Sequence, residues 1–246
     1  MKHQKSIVWE KIGVIGVLSI HNPPENFIKE PEFISKEQIE EILHDTTLKG
    51  IIIKGTGRHF SAGADREKLK QLAQNEALLY KKISEGKELI RIIENMNIPV
   101  VAAIKGVCFG AGLEIALACH IRICSENALF AFPESNHGIM PGLGGTVMLT
   151  KLIGAGKSAE IILTGDIVNA EKALELRIAD HVVSSKELNA FSISFLERMT
   201  SDRENDVINS VMKSIHNSQT LSFEKALEEE TKLFCALVVK SMQDKQ

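Results

Sequence analysis

The sequence predicts an α/β fold with a mainly parallel sheet, followed by a helical C-terminal part. Two observations carry this. Short apolar runs bounded by glycine, such as LKGIIIKGTG and PVVAAIKG, alternate with stretches of helical periodicity up to about residue 150. Buried strands separated by helices make βαβ units, whose strands read as continuous apolar runs. After the PGLGG turn, helical spacing dominates. The 246 residues are 44% hydrophobic and 25% charged, enough for a single large core. With aromatics at 5%, that core is expected to be aliphatic.

Each element has its own signal. Residues 6–20, SIVWEKIGVIGVLSI, are β-branched and broken by Gly13 and Gly16, which predicts two short strands or a hairpin. HNPPENFIKEPEF, with three prolines, is a loop and a candidate entry channel. SKEQIEEILHD carries a Ser-x-x-Gln capping box ahead of Ile39, Ile42 and Leu43, so a helix follows. LKGIIIKGTG is a buried strand, RHFSAGAD a loop, and residues 67–95 show helical spacing from Leu69 to Ile93. PVVAAIKG is a second buried strand. LEIALAC is a helix whose end runs into another strand. TVMLTKLIG and SAEIILTG are helices stopped by Gly154 and Gly165. NAEKALELRIAD is a helix with Asn169 as N-cap, and HVV is a short strand. Residues 186–200 and 203–242 read as amphipathic helices.

Charge and motif content exclude several function classes. A net charge of −3 leaves no electrostatic footprint for nucleic acid or an anionic membrane. The N-terminal MKHQKSIVWEK lacks an apolar signal core, and no apolar run reaches membrane-spanning length, so a cytoplasmic protein is expected. The four cysteines, Cys108, Cys119, Cys124 and Cys235, have no CxxC spacing and read as reduced core thiols; no metal site is expected. GAGKS at 154–158 lacks the first P-loop glycine, since Lys151 stands there, and reads as a helix cap and linker. GAGLEI has Ile115 in place of the third dinucleotide-binding glycine, and no Gly-x-Ser-x-Gly elbow is present.

Residues 105–146 hold what chemistry the sequence offers. Glu114 follows a Gly-Ala-Gly turn and opens the apolar run LEIALAC. Glu134 follows Pro133 after the alternating ALFAF and precedes the second glycine turn, PGLGG. Glycine turns let backbone approach a ligand with N–H groups outward. Two carboxylates in different settings are candidates to divide acid and base work. His137, one turn beyond Glu134, is a candidate for lining a cleft or for capping a turn.

RHFSAGAD at 58–65, the Gly-Ala-Gly-Leu-Glu turn at 110–114 and PESNHGIMPGLGGT at 133–146 together strongly resemble the crotonase, or enoyl-CoA hydratase/isomerase, superfamily. The resemblance covers roughly residues 5–185. It implies a spiral of ββα units with a helical C-terminal trimerisation part, divided here as a core over 1–190 and an oligomerisation part over 191–246. It implies a homotrimer, or a hexamer made as a dimer of trimers. Its substrates are thioesters on CoA or an acyl carrier protein, with no further cofactor. The backbone N–H groups of Ala64 and Ala111 would form the oxyanion hole. Arg58, Ala62, Gly63, Asp65, Arg66, Gly110, Pro133 and Gly142 would line or close the substrate site.

Both family glutamates are present, as in the hydratase branch. The implied reaction is syn addition of water across a 2,3-double bond, with Glu134 handling the proton at C2 and Glu114 activating water. Isomerisation or decarboxylation of a carrier-linked acid, and an idle crotonase-fold scaffold, are the alternatives. Arg66-Glu67 replaces the usual aliphatic residue and lysine near the CoA phosphates, and the sequence stops at MQDKQ short of the usual tail. Both departures weaken the expected CoA-phosphate contacts and add an acyl-carrier substrate as the alternative to CoA.

Overall fold

The computed structural model describes residues 7–31 and 33–243. Its centre is a six-stranded sheet in the order β1-β2-β3-β4-β6-β9. Strands β1 (Ile7–Ile12) and β2 (Ile15–Ile20) form the expected antiparallel hairpin. The remaining pairs, β2 with β3 (Gly50–Gly55), β3 with β4 (Val100–Ile104), β4 with β6 (Ile121–Ser125) and β6 with β9 (His181–Val183), are all parallel. A second, three-stranded sheet has β7 (Leu129–Ala131) at its centre, parallel to β5 (Val107–Phe109) and antiparallel to the two-residue β8 (Val168–Asn169). Neither β8 nor this second sheet is legible in the sequence, because their assignment rests on backbone pairing between segments distant in the chain and not on a local period.

The core is aliphatic, as the composition predicts. One face of the main sheet buries Leu18, Ile53, Ala102 and Ile104 against α3 (Glu76–Glu94) and α4 (Ala111–Ala118). The other buries Val17, Ile52, Val101 and Ile123 against Leu188 and Leu196 of α8 (Leu188–Thr200). At the end of α4, the buried Arg122 guanidinium donates to the carbonyls of Cys119 at 2.7 Å and Ile178 at 2.9 Å, and to Asp180 at 3.1 Å. That fan of bonds holds β6 against the segment leading to β9.

Four expectations are corrected. Residues 67–95 are two helices, α2 (Arg66–Leu72) and α3, because Asn75 caps the second by accepting the N–H of Leu78 at 3.0 Å. Residues 203–242 likewise split into α9 (Asn205–Thr220) and α10 (Phe223–Gln243), with Leu221 extended between them. Apolar periodicity runs through both breaks; local hydrogen bonding decides them. GAGKS contains no linker: Gly154 closes α5 (Gly145–Ile153) and directly opens α6 (Ala155–Thr164). The fourth correction concerns the cysteines: Cys108, Cys119 and Cys124 are buried free thiols as read, but Cys235 is exposed, because α10 buries none of its residues in the single chain. Among the described residues, no helix is long and apolar enough to cross a membrane.

α1 (Lys36–Leu43) starts on the predicted capping box, with Ser35 and Gln38 bonded reciprocally at 3.2 Å. α7 (Ala170–Glu175) starts at Asn169, which accepts the N–H of Lys172 at 2.8 Å. α9 and α10 pack mainly on each other, and α10 buries no residue in the single chain.

Candidate active site

A cavity of about 300 Å³ lies where α2, α3, the proline-rich loop and the two glycine turns converge. Leu69, Leu72, Leu79, Ile83 and Leu143 supply much of its apolar wall, and Glu114, Glu134, Ala64 and Ala111 also line it. The two glutamates and the two alanines singled out by sequence, which run from position 64 to position 134, therefore share one apolar cleft. An apolar pocket with few convergent polar groups is the usual form of a small-molecule site.

Local structure explains each polar group. Ala64 makes a parallel bridge to Ile28, in which Ile28 N–H donates to Gly63 O and Asp65 N–H donates to Ile28 O, both at 2.8 Å. In such a bridge the partner residue's own N–H turns the other way, so that of Ala64 is left for the cavity. Ala111 is the first residue of α4, whose opening N–H groups have no intrahelical partner and lie at the positive end of the helix dipole. Gly110 makes this geometry possible: its φ is 49°, and a Cβ there would lie 2.5 Å from Glu134 Oε1. The carboxyl of Glu134 thus rests directly on the turn that presents Ala111.

The glutamates differ in setting as predicted. Glu114 is 1% exposed, and its Oε1 accepts the N–H groups of Leu143 at 2.6 Å and Gly145 at 2.8 Å. Burial raises its pKa, and these backbone donors, with that of Gly142, oppose the rise. Glu134 sits in a 3-10 turn, Pro133–His137, and its buried Oε2 has no hydrogen-bond partner among the described residues. Burial, with the charge of Glu114 adding to it, pushes Glu134 up to about 7. A carboxyl that titrates near neutrality suits proton transfer.

The other sequence candidates fall in different places. Gly142 lines the cavity. Asp65 also lines it but uses its carboxylate to cap α2, accepting Glu67 N–H at 3.0 Å and Lys68 N–H at 3.2 Å. Gly63 is buried and Ala62 half-buried behind Ala64, Gly110 is buried beneath Glu134, and Pro133 opens the turn that carries it. Arg58 and Arg66 are exposed and lie outside the cavity lining; Glu67 pairs with Lys70 at 2.7 Å. His137 ends the 3-10 turn on the surface. Sequence reasoning missed the N–H groups of Leu143 and Gly145 and the apolar wall from α2 and α3. The glycine turn hinted at the former; periodicity marked the latter only as core.

The enoyl-CoA hydratase/isomerase family model matches residues 11–245. The chain belongs to that family. A probable enoyl-CoA hydratase of Bacillus subtilis is 34% identical over 234 residues, covering 89% of this chain and 85% of the relative. A crotonyl-CoA hydratase of Syntrophomonas wolfei is 34% identical over 187 residues, covering 75% of this chain and 71% of its own length. Among solved structures, Pseudomonas aeruginosa DspI superposes with a TM-score of 0.86 at 27% identity, covering 100% of this chain and 97% of that one. The mixed α/β architecture of this chain agrees with the crotonase-like fold that its motifs imply.

Proposed function

We propose that the chain catalyses reversible syn hydration of 2-enoyl thioesters to 3-hydroxyacyl thioesters. The observation that carries this is that Glu114, Glu134, Ala64 and Ala111 line one apolar cavity. The names of the Bacillus and Syntrophomonas relatives support the same reaction. The thioester is carried on CoA or on an acyl carrier protein. The N–H groups of Ala64 and Ala111 hold the thioester oxygen and stabilise the enolate, each such donor being worth about 10²–10³ in rate.

The acid–base work divides between the two carboxyls. Burial raises the pKa of Glu114, two backbone N–H groups that it accepts oppose the rise, and in its ionised form it takes a proton from the attacking water. Glu134, with its unpartnered buried oxygen and a pKa pushed up to about 7, is protonated in a large share of molecules at neutral pH and in that form delivers the proton to C2 on the same face. The oxygen of water bonds to C3, the double-bond electrons move into the enolate, and the Glu134 proton completes the C2–H bond. Dehydration runs the same steps backwards, so the pair carries one proton in either direction.

The exposed apolar row on α10, including Phe223, Leu227, Phe234 and Val238, supports assembly as a trimer or a hexamer of two trimers. The division into a core over 1–190 and an oligomerisation part over 191–246 belongs to this reading.

The test follows the enoyl-thioester absorbance of crotonyl-CoA with the native chain, Glu114→Ala and Glu134→Ala. Loss of the band with the native chain, abolished by either substitution, is expected. Turnover that survives Glu114→Ala instead points to double-bond isomerisation, which needs one carboxyl. Activity confined to a carrier-protein-linked enoyl substrate settles the carrier.

A further inference from the structure

Asn26, in the proline-rich loop, lies outside the cavity lining yet is 0% exposed and has a left-handed φ of 55°. All its polar groups are engaged. Its Nδ2 donates to the carbonyls of Thr56 and His59, both at 2.8 Å, and its Oδ1 accepts the N–H of Asn22 at 3.1 Å. Its own N–H donates to Asn22 O at 2.8 Å. Its carbonyl accepts the hydroxyl of Ser61 at 2.8 Å, and that hydroxyl oxygen accepts Gly63 N–H at 3.1 Å. Ser61 is likewise 0% exposed. On either side of this knot, Ala62 N–H donates to Glu25 O at 2.9 Å and Ile28 N–H donates to Gly63 O at 2.8 Å.

The carboxamide therefore binds two loops into one unit. Residues 22–28 form one edge and residues 56–65 the other, and Ala64 is the point where that unit meets the cavity. On its far side the second loop is tied to β5, with Ser61 N–H donating to Val107 O at 3.1 Å and Phe109 N–H donating to Ser61 O at 2.9 Å. Phe109 is one residue from Gly110, which presents Ala111. The two proposed oxyanion donors are thus registered against each other through a short covalent and hydrogen-bonded path that includes Ser61.

We propose that Asn26 is a positioning residue for the oxyanion hole: its side chain fixes the 56–65 loop so that the Ala64 N–H points at the thioester oxygen. The inference rests on the hydratase reading. Catalytic donors must be held to within about 0.5 Å of the productive geometry, and a misplacement of about 1 Å costs on the order of 10² in rate. Loss of the knot therefore acts on the transition state more than on ground-state binding.

Asn26→Gly tests this, because glycine tolerates the left-handed φ and only the side-chain bonds are removed. With crotonyl-CoA the expected result is a fall in kcat of about 10–100-fold with KM within about threefold. Ser61→Ala, which removes one strand of the knot, is expected to lower kcat by less, about three- to tenfold, with the same signature. A second readout is the thioester carbonyl ¹³C shift of bound butyryl-CoA labelled at C1, which reports polarisation by the donors. Both variants should move it toward the free-ligand value, while the alkaline limb set by Glu134 stays in place. Unchanged kcat and carbonyl shift in a folded Asn26→Gly overturn the inference; if that variant does not fold, the same result in Ser61→Ala does so. A native chain that neither hydrates a thioester nor shifts the bound carbonyl overturns the hydratase reading itself, and the inference with it.

Discussion

At the scale of single residues, the two glutamates owe their difference to what surrounds them. At Glu134 burial outweighs an opposing backbone hydrogen bond, and the neighbouring Glu114 carboxylate adds to the rise, so it holds its proton to about 7. The proposed hydration needs that proton and an ionised Glu114, so kcat/KM is expected to fall about tenfold per unit above pH 7 and to fall again toward acid pH, as Glu114, itself raised by burial, takes up a proton. A pH–rate profile checks this. The same shift has a sign for stability. The folded state binds the proton more tightly than the unfolded chain, so stability declines as pH rises from the ordinary carboxyl range to about 7. Glu134→Gln, which stays neutral, is expected to remove that slope in urea titrations, while lowering kcat by about 10²–10⁴. Glu114 was recognisable from its turn; that Leu143 and Gly145 would hold it was not, since both donate through backbone and no side-chain type marks them.

At the scale of elements, α3 shows how packing overrides propensity. Gly86 stands in the middle of this 19-residue helix, where glycine is unfavourable by about 1 kcal/mol relative to alanine. A Cβ at Gly86 would lie 2.8 Å from Leu143 Cδ2, 2.8 Å from Pro31 Cβ and 2.9 Å from Pro31 O. The helix, the proline-rich loop and the second glycine turn meet there, and the latter two line the cavity. Gly86→Ala should therefore destabilise the fold by about 1–3 kcal/mol despite its better helix propensity. It should also raise KM for longer enoyl chains as the wall shifts. Denaturant midpoints and a chain-length series measure the two effects. On the opposite face of the sheet, Leu196 of α8 is 0% exposed beside Gly50. Leu196→Ala is expected to cost about 2–5 kcal/mol, with the pH–rate profile unaltered because the site lies on the other face.

At the scale of the whole molecule, the C-terminal helix carries the exposed apolar row on which the proposed assembly rests. α10 is amphipathic by spacing but exposes Phe223 at 73%, Phe234 at 65% and Met242 at 63%. Apolar rows of this kind mark interfaces. Phe234→Glu is expected to shift the sedimentation-equilibrium mass from the assembly toward the monomer. A monomeric native chain would remove the reason for the row.

Much of the fold was legible because its signals are local. Glycine-bounded aliphatic runs made the parallel strands, capping residues made the starts of α1 and α7, and three short motifs marked Ala64, Ala111, Glu114 and Glu134. The breaks at Asn75 and Leu221 and the strand of two residues were not legible, because an apolar period does not register a local cap or a pair of backbone bonds. Nor was the buried carboxamide of Asn26, which in sequence is one more polar residue in a proline-rich loop. The sequence by itself determined which residue types were available and the order of strands and helices that carry them. Only the tertiary structure decided that Ala64's N–H is left over from its bridge to Ile28, that Glu114 is held by two backbone donors and that Glu134 keeps an unpartnered oxygen. Those properties depend on desolvation and on hydrogen bonds between segments distant in the chain, which exist only once the chain has closed around the cavity.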